Sequence, residues 1–160
     1  MSKTLIAYAT KHGSAEECAK ALAAKIDSGT DLCNLKEKKQ IDLDAYDTII
    51  VGGSIYAGRI QKEVRDFCIK NENELKKKKL GLFICGMSEG ELAEKQVQSS
   101  FPQGLLSKAL AKDCFGGRFD FSKLNFMEKA IVKKVAKVDS DQSNISENRI
   151  AQFAQILKEA

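Results

Sequence analysis

A short loop near the start of the chain carries the residues best suited to binding an anion. Thr10-Lys11-His12-Gly13-Ser14-Ala15 joins the apolar segment 5–9 to an amphipathic one. A loop that opens a helix presents unpaired N–H groups at the positive end of the helix dipole, which favours phosphate, and a glycine lets the backbone approach closely. The loop matches neither the G-x-G-x-x-G nor the G-x-x-x-x-G-K-S/T pattern. The alternative is an ordinary turn in which Ser14 caps the helix and Glu17 completes an S-x-x-E box.

The elements that position this loop follow from the alternation along the chain. Apolar, strand-like segments alternate with amphipathic helices, which predicts a parallel sheet covered on both faces. The predicted strands lie near 3–9, 31–36, 47–53, 79–86 and 113–119. The second has the weakest strand pattern and is predicted at an edge. The sequence therefore predicts an α/β fold, a doubly wound five-stranded parallel sheet of order 2-1-3-4-5, in a single domain over 1–160.

This strand order predicts that two loops are neighbours. It creates a crevice between the first and third strands, outside their carboxyl ends, where ligands bind in such sheets. The loops after Ala9 and after Gly53 should therefore lie side by side. The second loop reads Gly52-Gly53-Ser54-Ile55-Tyr56-Ala57-Gly58, with three glycines and one aromatic residue, as a loop that wraps a flat ring needs. A phosphate loop beside it indicates flavin mononucleotide (FMN).

Apolar residues at helical spacing predict the helices between the strands. The helix after the third strand is predicted from Ile60, Val64, Phe67 and Cys68. Ser88-Glu89-Gly90-Glu91 is a second S-x-x-E start signal. The closing helix is predicted over about 146–159, packed through Ile150, Phe153, Ala154 and Leu157. The run Lys76–Lys79 is predicted to end a helix, because cations favour helix C-termini.

Composition narrows the class of protein. The sequence contains no stretch long enough for a membrane-spanning helix and no signal-peptide pattern at its start, so we expect a cytoplasmic protein. The five cysteines form no C-x-x-C pair, which predicts reduced, mostly buried thiols rather than disulfides or a zinc site. His12 is the single histidine. The net charge of +4 comes without a recognition motif or an aromatic stacking platform, so nucleic-acid binding is not expected.

A basic segment near the C-terminal end allows two interpretations. Leu124, Met127, Ile131, Val135 and Val138 share one helical face, with lysines largely on the others. Leu124–Val138 is either a helix that rests on an anionic membrane, where a quinone is within reach, or a sheet-covering helix with a solvated lysine face. The sequence leaves both open.

The loop residues resemble those of the flavodoxin family. Thr10–Ala15 is similar to its phosphate loop, typically S/T-x-T-G-x-T, although His12 stands where threonine is usual and Ala15 replaces the last hydroxyl. The resemblance implies that Thr10, Lys11, His12, Gly13 and Ser14, with Ala15, surround the FMN phosphate. It also implies that the isoalloxazine ring lies between two further loops. Their residues are Ser54, Ile55, Tyr56, Ala57 and Gly58, and Cys85, Gly86, Met87 and Ser88.

Within these loops the resemblance implies individual roles. Tyr56 is the candidate for stacking on the ring, the alternative being a surface tyrosine in a turn. Gly58, or the carbonyl of Ala57, would face the reactive flavin nitrogen. Cys85 and Met87 are expected to pack rather than react. No catalytic side chain and no metal ligand is expected, since the flavin would carry the chemistry.

A closer likeness is to the oxygen-independent, menaquinone-linked protoporphyrinogen oxidase (dehydrogenase) group. Gly52-Gly53-Ser54-Ile55 is similar to its G-A-S-I loop, and Gly116-Gly117 with the Phe-, Lys- and Met-containing segment that follows resembles its extra segment near the last strand. Two features depart from the group. Tyr56-Ala57 stands where an Arg-Tyr pair is common, and the arginine-rich stretch after Cys85-Gly86-Met87 is absent.

Three functions therefore compete. The first is an FMN oxidoreductase that takes hydrogen from a reduced substrate and reduces a quinone. The second is an electron carrier that serves protein redox partners. The third is a receiver-like module without flavin, which is disfavoured because the loops after residues 9 and 53 lack an acidic cluster. The mildly basic charge favours the first over an acidic shuttle, because it destabilises an anionic reduced flavin less.

Overall fold

The central sheet has five parallel strands. The computed structural model describes residues 3–10, 13–26, 29–37, 41–56, 58–119, 142–143 and 145–160. The parallel strands are β1 (Thr4–Ala9), β2 (Thr30–Asn34), β3 (Thr48–Tyr56), β5 (Lys79–Cys85) and β6 (Ala111–Cys114), in the order β2-β1-β3-β5-β6. These are the five predicted strands in the predicted order, so the fold is confirmed. The second predicted strand lies at an edge, as expected.

Helices cover both faces of this sheet. They are α1 (Ser14–Lys25), α2 (Lys62–Lys70), α3 (Glu72–Lys76), α4 (Gly90–Ser100), α5 (Gln103–Leu106) and α6 (Glu147–Glu159), with a 3₁₀ turn at Leu43–Ala45. Residues of α1 and α6 pack in one apolar cluster, and those of α2 to α5 pack in another. All six residues of β1 are buried, since successive side chains enter opposite clusters. This two-sided burial explains the continuous apolar strand pattern.

Aromatic packing joins the closing helix to the sheet. Phe115 lies between Phe83 of β5 and Phe153 of α6, with ring centroids 5.1 Å from each. The Phe83 ring is stacked on that of Phe115, whereas Phe153 meets it edge-on. Helix α6 begins at Glu147, where the Ser146 hydroxyl accepts a hydrogen bond from the Arg149 N–H. The predicted closing helix is thus confirmed.

Three sequence predictions need correction. Ile60 is not helical: it belongs to β4 (Arg59–Ile60), a short strand antiparallel to β3, and α2 begins after it. The strand predicted over 113–119 is divided, because β6 ends at Cys114 and β7 (Arg118–Phe119) pairs instead with β8 (Gln142–Ser143) in a separate two-stranded sheet. The Ser88 start signal is also wrong. Helix α4 begins at Gly90, with Glu89 at the N-cap position and no side-chain cap.

The lysine run and the cysteines behave as predicted. Lys76 ends α3 and Lys79 begins β5, so the run Lys76–Lys79 does close a helix. All five cysteines are buried as free thiols. Cys68, a residue of α2, is buried. This burial, and to a smaller extent the nearby Glu72 carboxylate, raises the pKa of its thiol to about 12. The Cys68 thiol is therefore protonated at neutral pH and packs as a small apolar core residue.

Candidate functional site at the carboxyl edge of the sheet

The first and second predicted loops lie side by side. In the sheet register Ala9 is opposite Gly53, so the chain leaves β1 next to the end of β3. The Thr10 Oγ1 and Ser54 Oγ atoms are 3.1 Å apart across this crevice. The prediction that the loops after Ala9 and Gly53 are neighbours is therefore confirmed.

The N-terminus of α1 is organised around these two hydroxyls. Thr10 Oγ1 accepts a hydrogen bond from the Gly13 N–H at 2.9 Å, and Ser54 Oγ accepts one from the Ala15 N–H at 3.2 Å. One of these two hydroxyls donates its hydrogen to the other. The hydroxyl that accepts keeps its own O–H, which is able to donate to a phosphate oxygen. The carboxyl edge of the sheet thus holds a hydroxyl able to donate and the positive end of the α1 dipole, both of which suit an anion.

The ordinary capped turn is not what the chain adopts here. Gly13, not Ser14, occupies the N-cap position, with φ of 96°, and α1 begins at Ser14 without a side-chain cap from this position. A left-handed φ is costly for residues with a Cβ atom, which explains why glycine stands here. The S-x-x-E capping box is therefore wrong, because Ser14 lies inside the helix.

Gln61 adjoins this candidate site and was not among the predicted site residues. Its Oε1 atom accepts a hydrogen bond from the Ser54 N–H at 2.9 Å. Ile55 pairs with Ile60 and Tyr56 with Arg59, so the β3–β4 hairpin folds Gln61 back beside Ser54. The available signal was the glycine at position 58, whose φ of 80° suits a tight turn between two strands.

Tyr56 ends β3 at the tip of this hairpin. It is half-buried, and Gly58, just past the tip, is exposed. The aromatic ring predicted to stack on a flavin is therefore at the edge of the crevice and not in the core. Ile55 is also half-buried and lies close to Gly86 of the third loop.

The third loop begins where β5 ends. Cys85 is opposite Ser54 in the register, so Gly86, Met87 and Ser88 follow beside the second loop. All three of these loop residues are half-buried. Register between parallel strands thus places the third predicted loop at the same edge of the sheet as the other two.

A fourth loop, after β6, supports the third and was not among the predicted site residues. The Gly86 N–H donates to the Gly116 carbonyl at 3.0 Å. A Cβ atom on Gly117 would lie 3.0 Å from the carbonyl carbon of Gly86, closer than nearly all Cβ contacts. The two backbones therefore touch, and position 117 accepts only glycine without a shift of the third loop.

Two thiols, those of Cys18 and Cys85, lie on the elements next to the first and third loops. The Cys18 and Cys85 Sγ atoms are 3.1 Å apart, and both residues are fully buried. Burial, followed by the hydrogen bond with Cys18, raises the pKa of Cys85. Burial also raises the pKa of Cys114, at the end of β6. The Cys85 side chain is therefore a buried thiol rather than a thiolate at neutral pH.

A large cleft adjoins the third loop on the side of β6. Its volume is about 1030 Å³, and it is bounded by the start of α4, by β6 and by the start of α6. Charged side chains of both signs line it: Glu89, Glu91, Glu94, Lys95, Lys112, Asp113 and Arg149. Within this lining, the Arg149 guanidinium and the Asp113 carboxylate form an ion pair at 2.7 Å. The cleft contacts the site through Ser88 and Gly116.

The structure brings together most of the predicted site residues. Thr10, Gly13, Ser14 and Ala15 adjoin Ser54, and the second loop adjoins the third. Lys11, His12 and Ala57 lie outside the described residues, as does the segment Leu124–Val138. Within the described part of the chain, no three His, Cys, Asp or Glu side chains are grouped as a metal site would require, and none of its helices has the length and apolar character to cross a membrane.

The family model for the flavodoxin domain matches residues 5–146. The chain belongs to the flavodoxin domain family. Three solved flavodoxins share the domain over nearly their whole length. That of Bacillus cereus has a TM-score of 0.60 at 14% identity, covering 99% of this chain and 98% of the other. That of Megasphaera elsdenii has a TM-score of 0.61 at 15% identity, covering 98% and 99%.

The third is the Fusobacterium nucleatum flavodoxin bound to flavin mononucleotide, with a TM-score of 0.53 at 13% identity over 99% of this chain and 98% of the other. At these identities the likeness shows the fold. A search of curated protein sequences found no match.

The residues of this flavodoxin domain fit its cofactor. Flavodoxin domains hold FMN, and FMN is the cofactor of this redox protein. The phosphate requires hydrogen-bond donors, and one hydroxyl of the Thr10–Ser54 pair and the N-terminus of α1 are groups of this kind. The ring requires a slot between two loops, and Ser54–Tyr56 lies beside Gly86–Ser88 at the same edge of the sheet. The predicted cofactor therefore agrees with both the family and the geometry.

Proposed function

We propose that this flavodoxin domain is an FMN-dependent oxidoreductase similar to the quinone-linked protoporphyrinogen dehydrogenases. It removes hydrogen from a reduced tetrapyrrole, and each pair of hydrogens removed reduces one quinone to a quinol. The observation that carries the proposal is the cleft of about 1030 Å³ beside Ser88 and Gly116. A cleft of this size beside the third loop is large enough to hold a small-molecule substrate.

In this proposal the residues of the protein bind FMN and hold it in position. Thr10, Ser54 and the first turn of α1 hold the phosphate, and Gln61 holds the backbone of Ser54 in place. The second and third loops hold the ring, with Tyr56 as the stacking residue. FMN, when bound, supplies the redox chemistry, which is why no catalytic acid or base is required of the protein.

The overall charge supports this choice of acceptor. Charged side chains of both signs line the cleft, and Lys95 is the cation that we assign to a carboxylate of a porphyrin substrate. The reduced, anionic cofactor also has a lower free energy in this protein, with its net charge of +4, than in an acidic protein of the same fold. An acceptor of higher potential, such as a quinone, is then the suitable partner.

The quinone resides in a membrane, so the proposal includes peripheral contact through Leu124–Val138. Its apolar residues recur at helical spacing among lysines, as membrane-surface helices require. The test is flotation of the purified protein with anionic and with neutral liposomes at low and high salt. We expect flotation with anionic liposomes at low salt, lost as salt rises. Absence of the protein from the anionic liposome fraction at low salt would refute the contact.

A second candidate is an electron carrier that serves protein redox partners. The features that favour it are the absence of the arginine-rich stretch after Met87 and the Tyr56-Ala57 pair in place of Arg-Tyr. Family membership and the flavodoxin neighbours are equally compatible with a carrier. The two functions differ in whether the protein turns over a small molecule by itself.

Anaerobic turnover distinguishes the two candidates. The FMN-loaded protein is mixed with protoporphyrinogen and a menaquinone analogue, and porphyrin fluorescence is followed. The enzyme requires porphyrin formation that depends on both protein and quinone. If porphyrin forms no faster than without protein, while the bound FMN is still reduced by a flavodoxin reductase, the chain is a carrier and the enzyme proposal is wrong.

A further inference from the structure

We propose that Cys18 and Cys85 are a redox-active dithiol that an external disulfide converts into an intrachain disulfide beneath the FMN site. The two Sγ atoms are 3.1 Å apart. A disulfide bond measures about 2.05 Å, so a closing movement of about 1 Å joins them. This modification site is independent of whether the protein is an enzyme or a carrier.

The position of the pair links it to both parts of the cofactor site. Cys18 lies one helical turn after Ser14, the first residue of α1, and Cys85 is the last residue of β5, directly before the third loop. The Cys85 Sγ atom is also 3.8 Å from the Ser14 carbonyl oxygen. A bond between the two sulfurs would therefore tie the helix behind the phosphate loop to the strand that carries a ring loop.

The remaining thiols are separated from this pair by the sheet. Cys18 and Cys85 belong to the apolar cluster that includes α1 and α6. Cys33, Cys68 and Cys114 belong to the cluster on the opposite face. Among the five thiols, Cys18 and Cys85 are therefore the pair expected to form a disulfide.

The chemistry is thiol–disulfide exchange. One thiolate attacks a low-molecular-weight disulfide, forms a mixed disulfide with it and releases one thiol. The second protein thiolate attacks the mixed disulfide and releases the other thiol. The protein loses two protons and two electrons, and one external disulfide becomes two thiols.

Access to the pair depends on local opening. Cys18 is 0% and Cys85 is 1% exposed, so no oxidant reaches either sulfur while α1 is packed on the sheet. At the proposed site, bound FMN would contact the loops at both ends of the pair and stabilise the closed arrangement. Oxidation is therefore slower in the FMN-saturated protein. This coupling rests on the FMN site, whereas the disulfide itself does not.

The test is oxidation of the full-length protein by oxidised glutathione, with and without saturating FMN. Remaining thiols are alkylated in denaturant, and the products are identified by intact mass and peptide mapping. We expect two of the five cysteines to escape alkylation, with a cross-link between the peptides of Cys18 and Cys85 and no retained glutathione. Five alkylated thiols, a different cross-link or retained glutathione would overturn the proposal.

Variants provide the matched control. Cys18→Ser and Cys85→Ser should abolish the cross-link, whereas Cys114→Ser, which also alters a buried thiol, should retain it. If a variant does not fold, the peptide map of the wild-type protein still decides. We expect FMN to slow oxidation about fivefold or more, the lower end of the coupling usual between two sites. Equal rates with and without FMN would refute the coupling to the cofactor site.

Discussion

The hydroxyls of Thr10 and Ser54 meet at 3.1 Å although 44 residues separate them along the chain. This contact joins the loop after β1 to the end of β3 at the crossover of the sheet. Backbone N–H groups of Gly13 and Ala15 donate to the same two oxygens. The proposed phosphate region is therefore held together by side-chain hydroxyls that accept hydrogen bonds from the first turn of α1.

Replacing Ser54 by alanine tests this arrangement. Ser54→Ala removes the acceptor of the Ala15 N–H and a hydroxyl able to bind phosphate. A hydrogen bond to a charged group contributes about 1.5–3 kcal/mol, so we expect FMN to bind at least about tenfold more weakly. Quenching of FMN fluorescence on binding measures the dissociation constant. Ser107→Ala, at an exposed hydroxyl bonded to the Gly104 carbonyl, is the control and should leave it unchanged.

Gln61 is expected to hold the second loop through its side-chain carbonyl. Gln61→Leu leaves the Ser54 N–H without its acceptor and should lower the free energy of unfolding by about 1–3 kcal/mol. Gln61→Glu keeps an acceptor oxygen at the same length and should restore most of this loss. Urea unfolding measures both. Gln98→Leu, on the exposed side of α4, is the matched control, and an equal effect there would contradict the role of Gln61.

Alkaline pH should destabilise the protein through Cys68. Its pKa is about 12 in the folded chain and near 9 when unfolded, so above pH 9 the unfolded chain binds fewer protons. The stabilising contribution is complete below pH 9 and falls by about 1.4 kcal/mol per pH unit as the pH rises towards 12. Urea unfolding between pH 8 and 11 measures this slope.

A pair of variants isolates that contribution. Cys68→Ala removes the titrating thiol and should make the decline above pH 9 shallower. Val64→Ala removes buried apolar volume from the same helix without a titrating group. It should lower stability equally at every pH and keep the wild-type slope. Identical slopes in the two variants would show that Cys68 is not the cause.

The proposed substrate cleft predicts a charge effect at Lys95. This lysine is exposed and lines the cleft, so Lys95→Gln should raise KM for a carboxylate-bearing substrate about twofold to fivefold and leave kcat unchanged. Steady-state turnover at low ionic strength measures both constants. Lys108→Gln, an exposed lysine that does not line the cleft, is the control. An equal KM change in both variants would indicate a general charge effect instead.

The pattern of apolar and polar residues along the sequence determined a large part of the fold. Buried strands covered on both faces give continuous apolar runs, so β1, β3 and β5 are readable directly from the sequence. Alternation with helices then determines a parallel sheet, and the connection rules bring the loops after Ala9 and Gly53 together. FMN followed from the residues of those two loops. These features depend on periodicity and chain order, which a single sequence contains.

Tertiary structure alone decided how the loops are supported. The Ser54 bond to Gln61 requires the β3–β4 hairpin, and the Gly86 contact with Gly117 requires the register of β5 and β6. The Cys18–Cys85 contact joins residues 67 positions apart. Such contacts arise from the packing of distant elements, where shifts of about 1 Å decide which atoms touch. Spacing along a chain contains no measure of that distance, so the support of the site was visible only in three dimensions.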